Sequence, residues 1–184
     1  MRIVGGELRG RALASPGSHH TRPTSDRTRE ALFNILTHGY GERLAGARVL
    51  DLFAGTGALG LEALSRGAAF AVFVEERADA RALIRDNIEA LGLLGRTKIL
   101  RRDATRLGEI GSGKPFDLVF ADPPYGKGLA ERALAGARAG GWLAERALVV
   151  VEESAAAAFA PVGGFALLQS RSYGDTVIHL LERA

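Results

Sequence analysis

Residues 48–64 read Arg-Val-Leu-Asp-Leu-Phe-Ala-Gly-Thr-Gly-Ala-Leu-Gly-Leu-Glu-Ala-Leu, and no other stretch constrains the fold as tightly. A short apolar run carries one acid, Asp51, and passes into three glycines within six residues, Gly55, Gly57 and Gly60. Helical periodicity then resumes. That order is strand, tight turn, helix, the opening of a parallel α/β unit. Glycine suits the turn because a ligand can approach its backbone closely and because positive φ costs it no Cβ clash. The helix that follows aims its free first-turn N–H groups at the same spot, so a small ligand is expected there.

Read literally, the three glycines spell the dinucleotide fingerprint G-x-G-x-x-G, and Glu75 falls about twenty residues on, where that motif wants a ribose-binding acid. A glycine turn of this kind fits any adenosyl ligand. Two features point away from a dinucleotide. Asp51 stands at the strand end, where a pyrophosphate would be repelled and an ammonium or sulfonium welcomed. Further on, the apolar run Phe116 to Ala121 leads directly into Asp122-Pro123-Pro124-Tyr125. With both motifs the chain resembles the class I S-adenosylmethionine-dependent methyltransferases. The run Thr21-Arg22-Pro23-Thr24-Ser25-Asp26-Arg27-Thr28-Arg29-Glu30-Ala31-Leu32-Phe33-Asn34 narrows this. It resembles, without a gap, the segment that marks the bacterial family methylating guanine N2 in 16S ribosomal RNA. Gly5-Gly6, Arg9-Gly10-Arg11 and Ser172 to Thr176 extend the likeness nearly end to end; His19 and His20 stand where that family often has basic residues.

Charge placement bears on the substrate. The chain carries +3 overall, but residues 1–29 hold +4, from six arginines against Glu7 and Asp26, and the remainder holds −1. Arginine matches phosphate bidentately, and a basic arm on a near-neutral body is a nucleic-acid footprint. Residues 1–24 are therefore expected to form a basic arm, with Arg9, Arg11, Arg22, Thr24, Arg27 and Arg29 as RNA contacts, and residues 25–184 the methyltransferase domain. The length and 47% hydrophobic content suit one core. Without cysteine there is no disulfide framework or thiolate metal site. His19 and His20 lack a third ligand, so no metal is expected. No apolar stretch reaches the roughly 18 residues of a membrane span, and Met1 to Gly6 lacks a signal-peptide core. A cytoplasmic monomer is expected.

Along the chain, Arg2 to Leu13 reads as a small β-hairpin outside the core, turned at Gly5-Gly6. Thr24 or Ser25 can cap a helix whose buried stripe is Leu32, Ile35 and Leu36, with Gly39 and Gly41 as its end. From Arg48 the pattern is strict βαβ alternation. Strands are expected to end at Phe53, Val74, Arg101, Ala121 and Glu152, and an antiparallel hairpin over residues 163–181 closes the sheet. The expected fold is α/β: a doubly wound, seven-stranded, mostly parallel, Rossmann-like sheet of the class I methyltransferase type with a small N-terminal hairpin.

Asp51, Glu75, Asp103 and Asp122 each sit at a strand end, where open α/β sheets bind ligands. The resemblance implies their tasks. Phe53, Gly55, Thr56 and Gly57 would cradle the methionine part of S-adenosylmethionine. Glu75 would accept the ribose hydroxyls, and Asp103 with Ala104 would take the adenine edge. Asp122-Pro123-Pro124-Tyr125 is the catalytic expectation. An exocyclic amine conjugated to a ring is a poor nucleophile, and both its N–H bonds must be held for the nitrogen to pyramidalise. The Asp122 carboxylate can accept one and the Pro123 carbonyl the other. Consecutive prolines freeze that carbonyl, and Tyr125 offers a stacking face. Guanine N2, adenine N6 and an amide nitrogen all suit this motif, and the resemblance favours guanine N2 in 16S rRNA, within a 30S subunit or an assembly intermediate. Adenine-N6 methylation, or a non-catalytic assembly factor on the same fold, is the alternative.

Overall fold

The apolar runs become the strands of one sheet: β1 (Arg48–Leu52), β2 (Phe70–Val74), β3 (Thr97–Leu100), β4 (Phe116–Ala121), β5 (Leu143–Ser154), β6 (Phe165–Tyr173) and β7 (Thr176–Arg183). The structure is a computed structural model describing residues 1–17, 24–160 and 162–184. Its strand order is β3-β2-β1-β4-β5-β7-β6. β1 to β5 pair in parallel, β7 runs antiparallel to β5, and β6 antiparallel to β7. The expected seven-stranded, mostly parallel sheet is the one observed.

Side chains alternate across the strands with a period of two. Val49, Leu118, Phe120, Leu148 and Val150 face one core, against α1 (Asp26–Leu44), α2 (Ala58–Ser65) and α3 (Ala78–Leu91). Leu50, Leu52, Val119, Ala121, Val149 and Val151 face a second core, filled by Trp142 and by α4 (Leu129–Ala139). This alternation also fixes the acids at the strand ends. Asp51, Asp122 and Glu152 share the parity of the first face, and Glu153 that of the second.

Three expectations change. Gly39 and Gly41 do not end α1; the helix runs to Leu44, with its one break at Tyr40 (φ −140°, ψ 26°). Ser25 caps it, accepting from the Thr28 N–H at 3.1 Å. The N-terminal hairpin pairs antiparallel about Arg2 and Ala12, with the Ile3, Gly10 and Leu13 N–H groups donating to the Arg11, Ile3 and Met1 carbonyls, but it does not stand outside the core. Ile3 and Leu13 are buried in the first core. The reason lies in α2, all eight residues of which are buried because residues 3–14 cover its outer side. Glu7 N–H donates to the Ser65 carbonyl at 2.8 Å, and Ala14 N–H to Asn87 Oδ1 of α3 at 2.7 Å. At Gly6, φ is +79° and an added Cβ would stand 2.0 Å from the Ser65 oxygen, so only glycine permits this docking. β5 is longer than expected, starting at Leu143, because a register shift against β4 near Arg146 (φ +57°) carries the pairing past an irregular point.

Candidate active site

The strand order reverses between β1 and β4, and a cavity of about 410 Å³ opens beyond their carboxyl ends. One wall is the glycine turn with Phe53, Gly55 and Thr56; beside it stand Glu75, Asp103 and Ala104. The facing wall is the whole motif Asp122-Pro123-Pro124-Tyr125, and Asp51 lies between the two. Gly57 alone of the expected cofactor residues does not line the cavity. It is buried at the start of α2 with φ +80°, and an added Cβ would press on Phe73 at 3.3 Å.

Each acid is held by backbone or hydroxyl donors. Asp51, 1% exposed, accepts the Gly60 N–H on Oδ2 at 3.0 Å, linking the β1 end to the first turn of α2. Burial pushes its carboxyl up to about 8, against the Gly60 hydrogen bond and with a further push from the Glu75 charge. Glu75 braces the turn: Oε2 accepts the Gly55 N–H and Oε1 the Arg77 N–H, both at 2.9 Å. Asp103 accepts the Thr105 hydroxyl at 2.7 Å and its N–H at 2.9 Å on Oδ1, which holds the carboxyl below the usual range. Its Oδ2 has no protein partner among the described residues.

Around Asp122 the structure gathers groups that the sequence reading did not. Thr24 Oγ1 donates to Glu152 Oε2 at 2.7 Å and lies 3.3 Å from Asp122 Oδ2. Tyr125 Oη donates to Glu152 Oε1 at 2.6 Å, with Thr176 Oγ1 at 3.4 Å. On the other side of the strand Glu153 accepts the Gly126 N–H at 3.0 Å. Burial and then the Glu152 charge raise Asp122 well above the usual carboxylate range, while the Thr24 hydrogen bond opposes them. Burial likewise raises the Tyr125 phenol, which stays protonated. The signal for Glu152 and Glu153 was present in the sequence: Val149-Val150-Val151 is an apolar strand running into acids, the same pattern that flagged the other four.

Two of the expected RNA contacts are corrected. Arg29 has a fully buried side chain, within 3.4 Å of Glu62 and 2.8 Å of Asp26, so it cannot reach a phosphate. For Arg29 the protein supplies its own anions, Glu62 and Asp26. Thr24 lines the cavity with its hydroxyl turned into the acid cluster, so it faces the site and not an outer RNA surface. Arg9, Arg11 and Arg27 are exposed, Arg11 donating to the Ala90 carbonyl. Arg22, His19 and His20 lie outside the described residues.

The cavity suits a ligand with a cationic centre and a flat polar ring. Carboxylates surround it, and a Cβ added at Gly55 (φ +58°) would meet only Phe53 O at 4.0 Å, so a side chain there would occupy open space beside the turn.

A family model described as "Conserved hypothetical protein 95" matches residues 1–182. The Escherichia coli K12 protein "Ribosomal RNA small subunit methyltransferase D" is 44% identical over 153 residues, 83% of this chain and 74% of its own length. The protein of the same name from Haemophilus influenzae is 35% identical over 83% of this chain and 78% of its own. Among solved structures, Escherichia coli yhhF superposes with a TM-score of 0.84 at 36% identity, covering 100% of this chain and 97% of that one. Thermus thermophilus hypothetical protein TTHA0928 gives 0.77 at 33% identity, covering 98% of each.

Proposed function

Because the chain belongs to the conserved hypothetical protein 95 family, we propose that it is an S-adenosylmethionine-dependent rRNA methyltransferase whose target is the exocyclic N2 of a guanine in 16S rRNA. The observation that carries the reading is the single cavity shared by the Gly55 turn and Asp122-Pro123-Pro124-Tyr125, in a chain similar to proteins named for small-subunit rRNA methylation.

S-adenosylmethionine, when bound, supplies a methyl carbon made electrophilic by its sulfonium. The chain's own residues do the rest. Asp51 and the Phe53 to Gly57 turn would hold the methionine end, where a cationic ligand would favour the ionised form of the Asp51 carboxyl that burial opposes. Glu75, already fixed by two N–H donors, accepts the ribose hydroxyls with its remaining lone pairs. Asp103 Oδ2 and the Ala104 N–H take the adenine edge.

On the facing wall, the Asp122 carboxylate and the Pro123 carbonyl accept the two N–H bonds of the target amine, directing the nitrogen lone pair at the incoming carbon. Pro124 keeps the loop rigid. Tyr125, tethered through its hydroxyl to Glu152, presents its ring to the base. Bound S-adenosylmethionine would give its methyl carbon to the amine nitrogen and keep the carbon–sulfur electron pair on sulfur, and the Asp122 carboxylate takes the amine proton. Orientation and fixed charge supply the catalysis. The guanine must leave its stack to enter, at a cost on the order of a few kcal/mol.

Arg9, Arg11 and Arg27, with Arg22, form the RNA-facing arm of residues 1–24 and the adjoining start of the methyltransferase domain, residues 25–184. The substrate in this reading is rRNA within a 30S subunit or an assembly intermediate, met by a monomer in the cytoplasm. Among the described residues no helix is long and apolar enough to cross a membrane. The test is tritium transfer from labelled cofactor to small subunits that lack the native modification. The wild-type chain is expected to label the RNA and the Asp122→Ala chain to leave it unlabelled. Absence of label with the wild type would reject the reading.

A further inference from the structure

Three elements far apart in the sequence meet at Asp122. It ends β4, Glu152 belongs to β5, and Thr24 lies just before α1. The Thr24 hydroxyl carries one proton and sits between the two carboxylates, 2.7 Å from Glu152 Oε2 and 3.3 Å from Asp122 Oδ2. Glu152, 7% exposed, spends its other oxygen on the Tyr125 phenol at 2.6 Å. Thr24 is itself anchored, since its carbonyl accepts from Arg29 Nη1 at 3.3 Å. Asp51 and Glu153 are the further charged groups close enough to act on Asp122.

A helix cap needs no such arrangement, and Ser25 already performs it. The buried Glu152 carboxylate raises the affinity of Asp122 for a proton, at a cost that a merely structural contact would not require. Resting on the methyl-transfer reading above, we propose that Thr24 and Glu152 are positioning residues for the reaction, acting through Asp122 in opposite senses. Glu152 makes Asp122 a stronger base for the proton that the amine must lose, and the Thr24 hydroxyl stabilises the ionised carboxylate that must receive it.

The arrangement also orients the proton's path. While Asp122 is ionised the one Thr24 hydrogen can turn to its Oδ2 at 3.3 Å; once Asp122 is protonated, its O–H can donate to Thr24 Oγ1, whose hydrogen then turns to Glu152 Oε2 at 2.7 Å. No proton is created or lost in this chain; it is the one released when the amine nitrogen forms its bond to carbon. Glu152 at the same time tethers the Tyr125 hydroxyl at 2.6 Å, so the ring on which the target stacks and the group that accepts its proton are both held by one carboxylate.

The test is the pH dependence of single-turnover methyl transfer to rRNA, with S-adenosylhomocysteine affinity measured alongside as a check on the cofactor half of the cavity. Transfer requires ionised Asp122, so the rate rises with pH through its titration. Glu152→Gln removes the neighbouring negative charge, and the acid limb is expected to move to lower pH by about one unit. Thr24→Val removes the donor that favours the ionised form, and the limb is expected to move to higher pH; Thr24→Ser keeps the hydroxyl and is expected to return it to the wild-type position. Limbs that superimpose in all four proteins, or that move in the same direction in Glu152→Gln and Thr24→Val, would overturn the proposal. Should Glu152→Gln fail to fold, the Thr24 pair decides alone: a limb equal in Val and Ser refutes it. A wild-type chain that labels no RNA defeats the functional reading and this inference with it, whereas an active wild type with unshifted variants defeats the inference only.

Discussion

Arg29 Nε lies 3.4 Å from Glu62 Oε2, and neither side chain is exposed to solvent. Glu62 is further held by Arg66 Nε at 2.9 Å and accepts the Val4 N–H at 3.0 Å. Arg29 reaches out to the carbonyls of Arg2 and Thr24. One buried guanidinium therefore joins the leading segment, the start of α1 and the core helix α2. An arginine that reads as part of a basic arm is a structural pin.

Removing Arg29 leaves the buried Glu62 charge to Arg66 and the Val4 N–H alone and takes the donor from Asp26 and two carbonyls. Arg29→Ala is expected to destabilise the chain by about 3–5 kcal/mol, seen as a lower midpoint in urea. Arg29→Lys should recover little, since an ammonium cannot reproduce the fork that serves Glu62, Asp26 and two carbonyls.

Arg9 and Arg27 should behave in the opposite way. Both are exposed, and replacing either with alanine is expected to leave stability within about 0.5 kcal/mol. RNA affinity should fall, and the slope of log affinity against log salt should become shallower by roughly one counterion per residue removed. Binding titrations at several salt concentrations read both effects.

Asp122→Asn keeps the shape of the catalytic wall but places an amide where a carboxylate must accept hydrogen. Methyl transfer is expected to fall by about a hundred- to a thousandfold while S-adenosylhomocysteine affinity is retained. Glu75→Ala is expected to do the reverse in the first instance. Losing the acceptor for the Gly55 and Arg77 N–H groups should weaken cofactor binding by about ten- to a hundredfold, measurable by calorimetry.

Asp51 makes stability depend on pH. Burial raises its carboxyl in the folded chain to about 8, from 3.8 when exposed. Between those values the folded state binds a proton that the unfolded state does not, so stability falls as pH rises from about 4 to about 8. Asp51→Asn, whose amide oxygen can still accept the Gly60 N–H, is expected to lose that component of the slope. Its stability relative to the wild type should rise across the same window in urea melts taken at stepped pH.

What could be read from the sequence was local. Four of the five parallel strands announced themselves as apolar runs carrying or leading into an acid, β3 being the mixed run Thr97–Leu100 before Arg101 and Arg102, and the sheet and the cavity walls followed from that repeated signature. Glu152 and Glu153 carried the same signature, yet they follow no glycine turn or proline pair, so nothing nearby marked them as part of the site. The contacts that could not be read are those that only folding brings together. Thr24 and Asp122 are 98 residues apart and Arg29 and Glu62 33. A dense run of arginines looks like a single surface until burial divides it. The N-terminal hairpin pairs as alternation predicts, but its place could not be read: the outer side of α2 needed covering, and Gly6 let the hairpin dock there.

The central claim is that Asp122 and the Pro123 carbonyl hold a guanine N2 for methylation in small-subunit RNA. It is tested most directly by nucleoside mass analysis of 16S rRNA taken from unmodified small subunits after incubation with this protein and S-adenosylmethionine. The account predicts N2-methylguanosine at one position, absent when Asp122→Ala replaces the wild type. N6-methyladenosine in its place, or N2-methylguanosine formed equally well without the Asp122 carboxylate, would contradict it.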